Sequence, residues 1–325
     1  PNGSNSGASY VVFGKTDGTA VELSDIELSN NDDGFVINGV STGDRSGIRS
    51  GISVSSAGDV NGDGLDDLIV GAHLDDPNGS NSGASYVVFG KTDGQAVELS
   101  DIELSRHHRH NADGFVINGV SSYDQSGSSV SGAGDVNGDG LDDVIVGAPG
   151  DDPNGSNSGA SYVVFGKTDG QAVELSDIEL SRHHRHNADG FVINGVSSYD
   201  QSGSSVSGAG DVNGDGLDDV IVGAPGDDPN GSNSGASYVV FGKTDGTAVE
   251  LSDIELRNNA DGFVINGVSS YDKSGISVSS AGDVNGDGLD DVIVGAPYDS
   301  IGGHYSGASY VVFGKTDGQA VELSD

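Results

Sequence analysis

The 325-residue chain contains no cysteine, no methionine and no tryptophan. Without thiols it can form no disulfide, thiolate metal site or cysteine nucleophile, and cysteine usage leaves its compartment unmarked. Basic residues are scarce: 13 Lys and Arg face 51 Asp and Glu, for a formal net charge of −38. Such an excess argues against nucleic acid and anionic membrane surfaces as partners and makes cations the natural ones. No apolar run reaches the roughly 18 residues of a membrane span, so no membrane insertion is expected. The residues following Pro1 show no basic-then-apolar leader pattern and no initiator methionine, so the sequence reads as a piece of something longer. Proline is also rare, at 7, but glycine is abundant: 55 residues without a Gly-X-Y period. That composition implies many tight turns between short strands.

Self-similarity dominates what is present. The segment GASYVVFGKTDG starts at Gly7, Gly83, Gly159, Gly235 and Gly307. DVNGDGLDD starts at Asp59, Asp135, Asp211 and Asp283, and GFVINGV at Gly34, Gly114, Gly190 and Gly262. The unit is 72 to 76 residues, and residues 75–150 are identical to 151–226 at all 76 positions, so each copy does nearly the same job. Each unit offers four strand candidates, such as those starting at Ser126, Asp142, Gly159 and Gly190. The runs Val144–Val146 and Tyr162–Phe165 are continuously apolar, as expected of strands covered on both faces. Four short strands per unit, stacked on the next unit, make an all-β β-propeller of tandem four-stranded blades, with about four blade equivalents. We expect one tandem-repeat, propeller-type domain over 1–325, with units at roughly 1–50 (partial), 51–126, 127–202, 203–274 and 275–325 (partial). The segment AVELSDIEL, between the third and fourth strands, suits either a helical turn or an edge hairpin. The loop after it varies in length, with RHHRHNA at Arg106 and Arg182 against shorter forms near Asn30 and Asn258, which marks a surface loop.

The chemistry lies in D-x-N-x-D-G-x-x-D, present four times: Asp59, Asn61, Asp63, Asp67; Asp135, Asn137, Asp139, Asp143; Asp211, Asn213, Asp215, Asp219; and Asp283, Asn285, Asp287, Asp291. Oxygens at positions 1, 3 and 5 of a tight loop converge, Gly at position 6 permits the turn, and the position 7 carbonyl adds a ligand. An all-oxygen set favours Ca²⁺ over Zn²⁺ or Mg²⁺. The plain alternative is a hairpin turn marked by Asn-Gly and Asp-Gly. Position 12 holds Val70, Val146, Val222 or Val294, so the bidentate Glu of an EF-hand is missing. Crowded carboxylates repel until a divalent ion neutralises them, so binding and folding should be coupled. Four ions would move the formal charge from −38 to −30 (−38 plus four times two).

The loop DVNGDGLDD followed by VIVGAP, as at Asp135–Pro149, together with GASYVVFG, resembles the FG-GAP repeat of integrin-α-type propellers and their bacterial relatives, over almost the whole chain. The resemblance implies a calcium loop joining the first two strands of a blade. Its ligands would be the first, third, fifth and ninth loop residues, with carbonyls from Leu65, Leu141, Leu217 and Leu289. Two departures stand out: Ser-Gly at Ser46, Ser126, Ser202 and Ser274 in place of Phe-Gly, and Gly71-Ala72-His73 in place of Gly-Ala-Pro. Integrin-type propellers have seven blades, whereas this chain has four copies of the first two strands. Two arrangements follow: a compact four-blade ring whose N-terminal strands complete the last blade, or a window from a longer array.

Other features have plain readings beside the functional ones. His107, His108, His110 and His183, His184, His186 suit either a transition metal or solvated loops in which Arg106, Arg109, Arg182 and Arg185 offset nearby acid. Asn-Gly-Ser at Asn2, Asn78, Asn154 and Asn230 fits the N-glycosylation pattern. Tyr123, Tyr199 and Tyr271 suit a binding face or buried turn packing. No catalytic constellation emerges, and identical copies argue against an active site, which is built once from unlike parts. The reading is an extracellular or cell-surface, calcium-stabilised structural or adhesive module. Its partners would be calcium, copies of itself or neighbouring repeats, or cell-surface glycan or protein. The alternative is a discrete binding module recognising glycan or protein on one propeller face.

Overall fold

The structure is a computed structural model that describes residues 7–27, 32–40, 51–104, 113–180, 189–256 and 260–324. The His-rich clusters, Asn2 and Ser46 lie outside the described residues.

Each unit folds into a blade. In blade I the strands Ser53–Gly58, Asp67–Ala72, Ala84–Val88 and Gly114–Asn118 pair antiparallel in that order. Blade II repeats this with Ser129–Gly134, Asp143–Ala148, Ala160–Val164 and Gly190–Asn194. Blade III uses Ser205–Gly210, Asp219–Ala224, Ala236–Val240 and Gly262–Asn266. Two partial sheets flank them. The N-terminal sheet holds a third and a fourth strand, Ala8–Val12 and Gly34–Asn38. The C-terminal sheet holds a first, second and third, Ser277–Gly282, Asp291–Ala296 and Ala308–Val312. The protein is therefore an all-β array of propeller blades. Of the two arrangements open to the sequence, the structure does not join the ends: Ala8–Val12 and Gly34–Asn38 share a sheet with Val97–Glu98, not with the C-terminal strands.

AVELSDIEL forms the helical turn, and in place of an edge hairpin it gives a single parallel edge strand. Val173–Glu174 adds a two-residue parallel strand to the outer edge of blade I, and Leu175–Leu180 follows as a short helix. The chain leaves the third strand of blade II, covers the edge of blade I, and returns to form the fourth strand of blade II. Glu174 fixes this crossover by accepting hydrogen bonds from the Asn118 and Asn78 side-chain amides at 2.7 and 3.0 Å. Asn78 also donates to the Gly119 carbonyl, so the amide of this Asn-Gly-Ser site, like that of Asn154, is used in the fold.

Both faces of blade II are buried, as continuous apolar runs require. Val144, Val146, Tyr162 and Val164 pack with Ile69, Val87 and Phe115 of blade I. The alternate residues Ile145 and Val163 pack with Val220, Val222 and Val240 of blade III. Successive first strands lie side by side, placing the loops between first and second strands in one row along the array.

Candidate metal centre

Each loop starts where the first strand ends in a bulge, between Gly132 and Gly134 in blade II, and ends at the buried Asp143 that opens the second strand. Gly138 and Gly140 adopt φ of +77° and +91°, which a side chain would resist. Asp135 Oδ1 accepts from the Gly138 and Asp139 N–H groups at 2.7 and 3.0 Å, and Oδ2 from Gly140 at 3.0 Å. Asn137 Oδ1 accepts from Asp139, and Asp139 Oδ1 from Leu141. The ninth-position Asp143 lies beneath the turn, where it accepts from Val136 N–H at 3.0 Å and from Gly166 N–H at 2.8 Å. The same bonds recur in the loops beginning at Asp59, Asp211 and Asp283.

The structure thus brings positions 1, 3, 5 and 9 of each loop into one turn. Among the described residues no three acidic or imidazole side chains converge on a single point. The position 1 and 5 oxygens face the loop's own N–H groups instead. The donor chemistry nonetheless fits a hard cation, and the charge is uncompensated. Burial pushes the Asp67, Asp143 and Asp219 carboxyls up to about 6, about 8 and about 7, and the position 5 and position 1 carboxylates add to the rise. In the described ion pairs, the lysines serve Asp33, Asp93, Asp169, Asp245 and Asp317, none of them in a loop.

The eighth position has a role that the sequence reading missed. Asp142 Oδ2 accepts the Asp59 N–H of the preceding loop at 2.7 Å, and Asp142 N–H donates back to the Asp59 carbonyl. Asp218 does the same to Asp135, and Asp290 to Asp211. Each loop is latched by the next through the Asp-Asp doublet, of which only the second member fits the ligand spacing. The seventh-position leucines also reach across: a Cβ on Gly62 would stand 2.9 Å from Leu141 Cδ2.

A second set of buried acids lies away from the loops. Asp124 and Asp200 are pushed up to about 7, first by burial and then by Asp151 and Asp152 around one, and Asp227 and Asp228 around the other. A folded-state value above the ordinary ~3.9 means that the native state binds the proton more tightly. This stability is therefore present in acid and lost as pH rises from about 4 to about 7. In chelator, the melting temperature should fall over that range, and the double variant Asp124→Asn, Asp200→Asn should flatten the fall. An unchanged slope would remove these two groups as its source. The neighbouring Tyr123, Tyr199 and Tyr271 are exposed rather than packed into a turn, with φ of +71° to +75°.

The FG-GAP repeat matches residues 50–88, 126–164, 202–240 and 274–312, each match spanning the first three strands and the loop. The chain is similar to integrin alpha pat-2 of Caenorhabditis elegans, 30% identical over 248 residues, covering 74% of this chain and 17% of that protein. It is also similar to integrin alpha-5 of Xenopus laevis, 29% identical over 190 residues, covering 58% and 16%. A third similarity is to phosphatidylinositol-glycan-specific phospholipase D of Bos taurus, 33% identical over 189 residues, covering 54% and 20%. The chain thus spans a fifth or less of each of these relatives.

Proposed function

We propose, from the premise that this chain belongs to the FG-GAP repeat family, that it is an extracellular or cell-surface module, stabilised by about four calcium ions, with a structural or adhesive task. The observation that carries this is the row of four near-identical loops, each setting an all-oxygen donor group over a buried, uncompensated carboxylate. Calcium would be held in the second loop by Asp135, Asn137, Asp139, the Leu141 carbonyl and Asp143, and in the others by Asp59, Asn61, Asp63, Leu65 and Asp67; Asp211, Asn213, Asp215, Leu217 and Asp219; and Asp283, Asn285, Asp287, Leu289 and Asp291. The ion would neutralise acids that the fold otherwise crowds together.

Uniformity of the repeats favours a structural or multivalent role over a dedicated receptor face, which needs unlike loops from unlike blades. The similarity to integrin alpha chains is what supports adhesion, and a discrete binding module is the second reading it allows. No catalytic role is proposed. If the repeats are equivalent parts, deleting 75–150, one whole period, should leave a folded, calcium-stabilised protein that binds one ion fewer by calorimetry. A deletion protein that fails to fold, or keeps the full ion count, would contradict equivalence.

A further inference from the structure

The aspartate that latches one loop to the next stands between two proposed ligands of its own loop. Asp142 follows Leu141, whose carbonyl is the seventh-position ligand of the second loop, and precedes Asp143, its ninth-position carboxylate. The polar atoms of Asp142 are nevertheless turned to the first loop. Its Oδ2 accepts from Asp59 N–H at 2.7 Å, and its N–H donates to the Asp59 carbonyl at 3.2 Å. Asp59 is the first-position ligand there, so a residue held at both sides by one site grips the opening ligand of another.

A continuous hydrogen-bonded path joins the two sites. The Leu141 carbonyl and the Asp142 N–H belong to one planar peptide unit. That N–H meets the carbonyl of Asp59, and the N–H of the same Asp59–Val60 peptide donates to Asp67 Oδ2 at 3.0 Å. The path therefore begins at a ligand atom of the second loop and ends on the ninth-position carboxylate of the first. Val60 and Asp67 are fully buried, and Lys167 N–H pins the Val60 carbonyl at 2.9 Å, so the inner end is shielded from water, where such chained bonds polarise one another most. The other two junctions repeat it: Asp218 reaches Asp135, and through Val136 Asp143, at 3.3 and 3.0 Å; Asp290 reaches Asp211, and through Val212 Asp219, at 3.1 and 2.9 Å. The side-chain half of the latch recurs as well, at 2.9 and 3.0 Å.

We infer that adjacent loops fill with calcium cooperatively, the eighth-position aspartate of one loop acting as a positioning residue for the first and ninth ligands of the loop before it. This rests on the calcium reading above and adds the regulation of the same sites. Ligation through Leu141 and Asp143 holds both neighbours of Asp142, so the second loop bears the cost of ordering that residue. The first loop then closes on an Asp59 backbone already gripped from outside and gives up less free energy to ordering. The coupling is reciprocal, so it does not matter which loop fills first. Charge acts the other way, because a filled loop is less negative and draws the next cation less strongly. In about 0.15 M salt that influence is screened beyond about 8 Å, whereas the latch is a direct contact. Couplings between sites commonly amount to about 5- to 150-fold in affinity, and about tenfold is expected for each junction here.

The test is calcium calorimetry on the 325-residue protein with two loops disabled at a time through their exposed fifth-position ligands. Asp63→Ala with Asp287→Ala leaves the second and third loops, which are adjacent. Asp139→Ala with Asp287→Ala leaves the first and third, which are separated. Each double variant loses the same ligand from two loops, so a general loss of stability acts on both alike. Both should bind two ions. In the adjacent pair the second ion should bind about tenfold more tightly than independent sites allow, and in the separated pair the two should bind independently. Adding Asp218→Ala to the adjacent pair removes the side-chain latch between the remaining loops and no ligand; it should keep two ions and lose most of the coupling. Indistinguishable isotherms for the two pairs, or coupling that survives Asp218→Ala unchanged, overturn the inference. A wild type that binds four ions independently leaves the calcium reading standing and removes only the coupling, whereas a wild type that binds none removes both.

Discussion

Moving the protein from calcium into chelator is expected to lower its unfolding free energy by about 11 kcal/mol, the sum of roughly 2.7 kcal/mol at each of four sites when free calcium is a hundred times the dissociation constant. The size of the effect follows from the loops. A carboxylate such as Asp143 is sealed beneath a turn that carries two more, and no lysine among the described ion pairs offsets them. An ion that binds only the folded loop adds its full binding free energy to folding. Calorimetry should count about four ions, and Asp139→Ala should reduce the count by one while leaving the other loops loaded. Denaturant curves that coincide in calcium and chelator, with no ions counted, would reduce the four loops to Asn-Gly and Asp-Gly turns.

Gly147→Ala should cost about 3 kcal/mol or more, while the equivalent Gly295→Ala should be nearly silent, within about 0.5 kcal/mol. Gly147 lies in the second strand of blade II, where its backbone faces that of blade III. A Cβ there would stand 2.1 Å from the Gly203 carbonyl oxygen and 3.0 Å from its carbon. Backbone on both sides cannot give way as a flexible side chain would, so the blades must separate. Gly295 occupies the same place in the C-terminal sheet, and its nearest neighbour is the Ser277 carbonyl oxygen at 3.5 Å, an ordinary contact. Urea unfolding of the two variants measures the difference. Equal losses would mean that the cost is intrinsic to the strand and that close blade packing is not its cause.

Much of this architecture was legible in the residues. Runs such as SYVVF and VIV could be placed as strands covered on both faces because nothing polar interrupts them. The loops between first and second strands were legible because their Asp, Asn and Gly spacing repeats with fixed phase. What escaped depends on contacts between units. Val173–Glu174 is too short to announce itself as a strand, and it becomes one only by pairing with Ile117 and Asn118 of the blade before. The latch formed by Asp142 was hidden because its partner lies 83 positions away in another loop. In the sequence the two acids of the doublet look alike, yet one turns under its own loop and the other reaches across to its neighbour's. Tyr123 and its equivalents could be read either way, since exposure is set by the turn that presents them.

The crossover also sets the timetable on which the chain is completed at the ribosome. The fourth strand of blade I ends at Asn118, but the Glu174 that clamps its outer edge is 56 residues further on. At about 5–20 residues per second, that edge waits roughly 3–11 s without its cover. An uncovered strand edge is a template for whatever strand arrives first, and here the Val-Glu segment of any repeat has the correct sequence to cap the wrong blade. Emergence in order from one end, more than any difference between the copies, is what lets each blade be closed by the repeat that follows it.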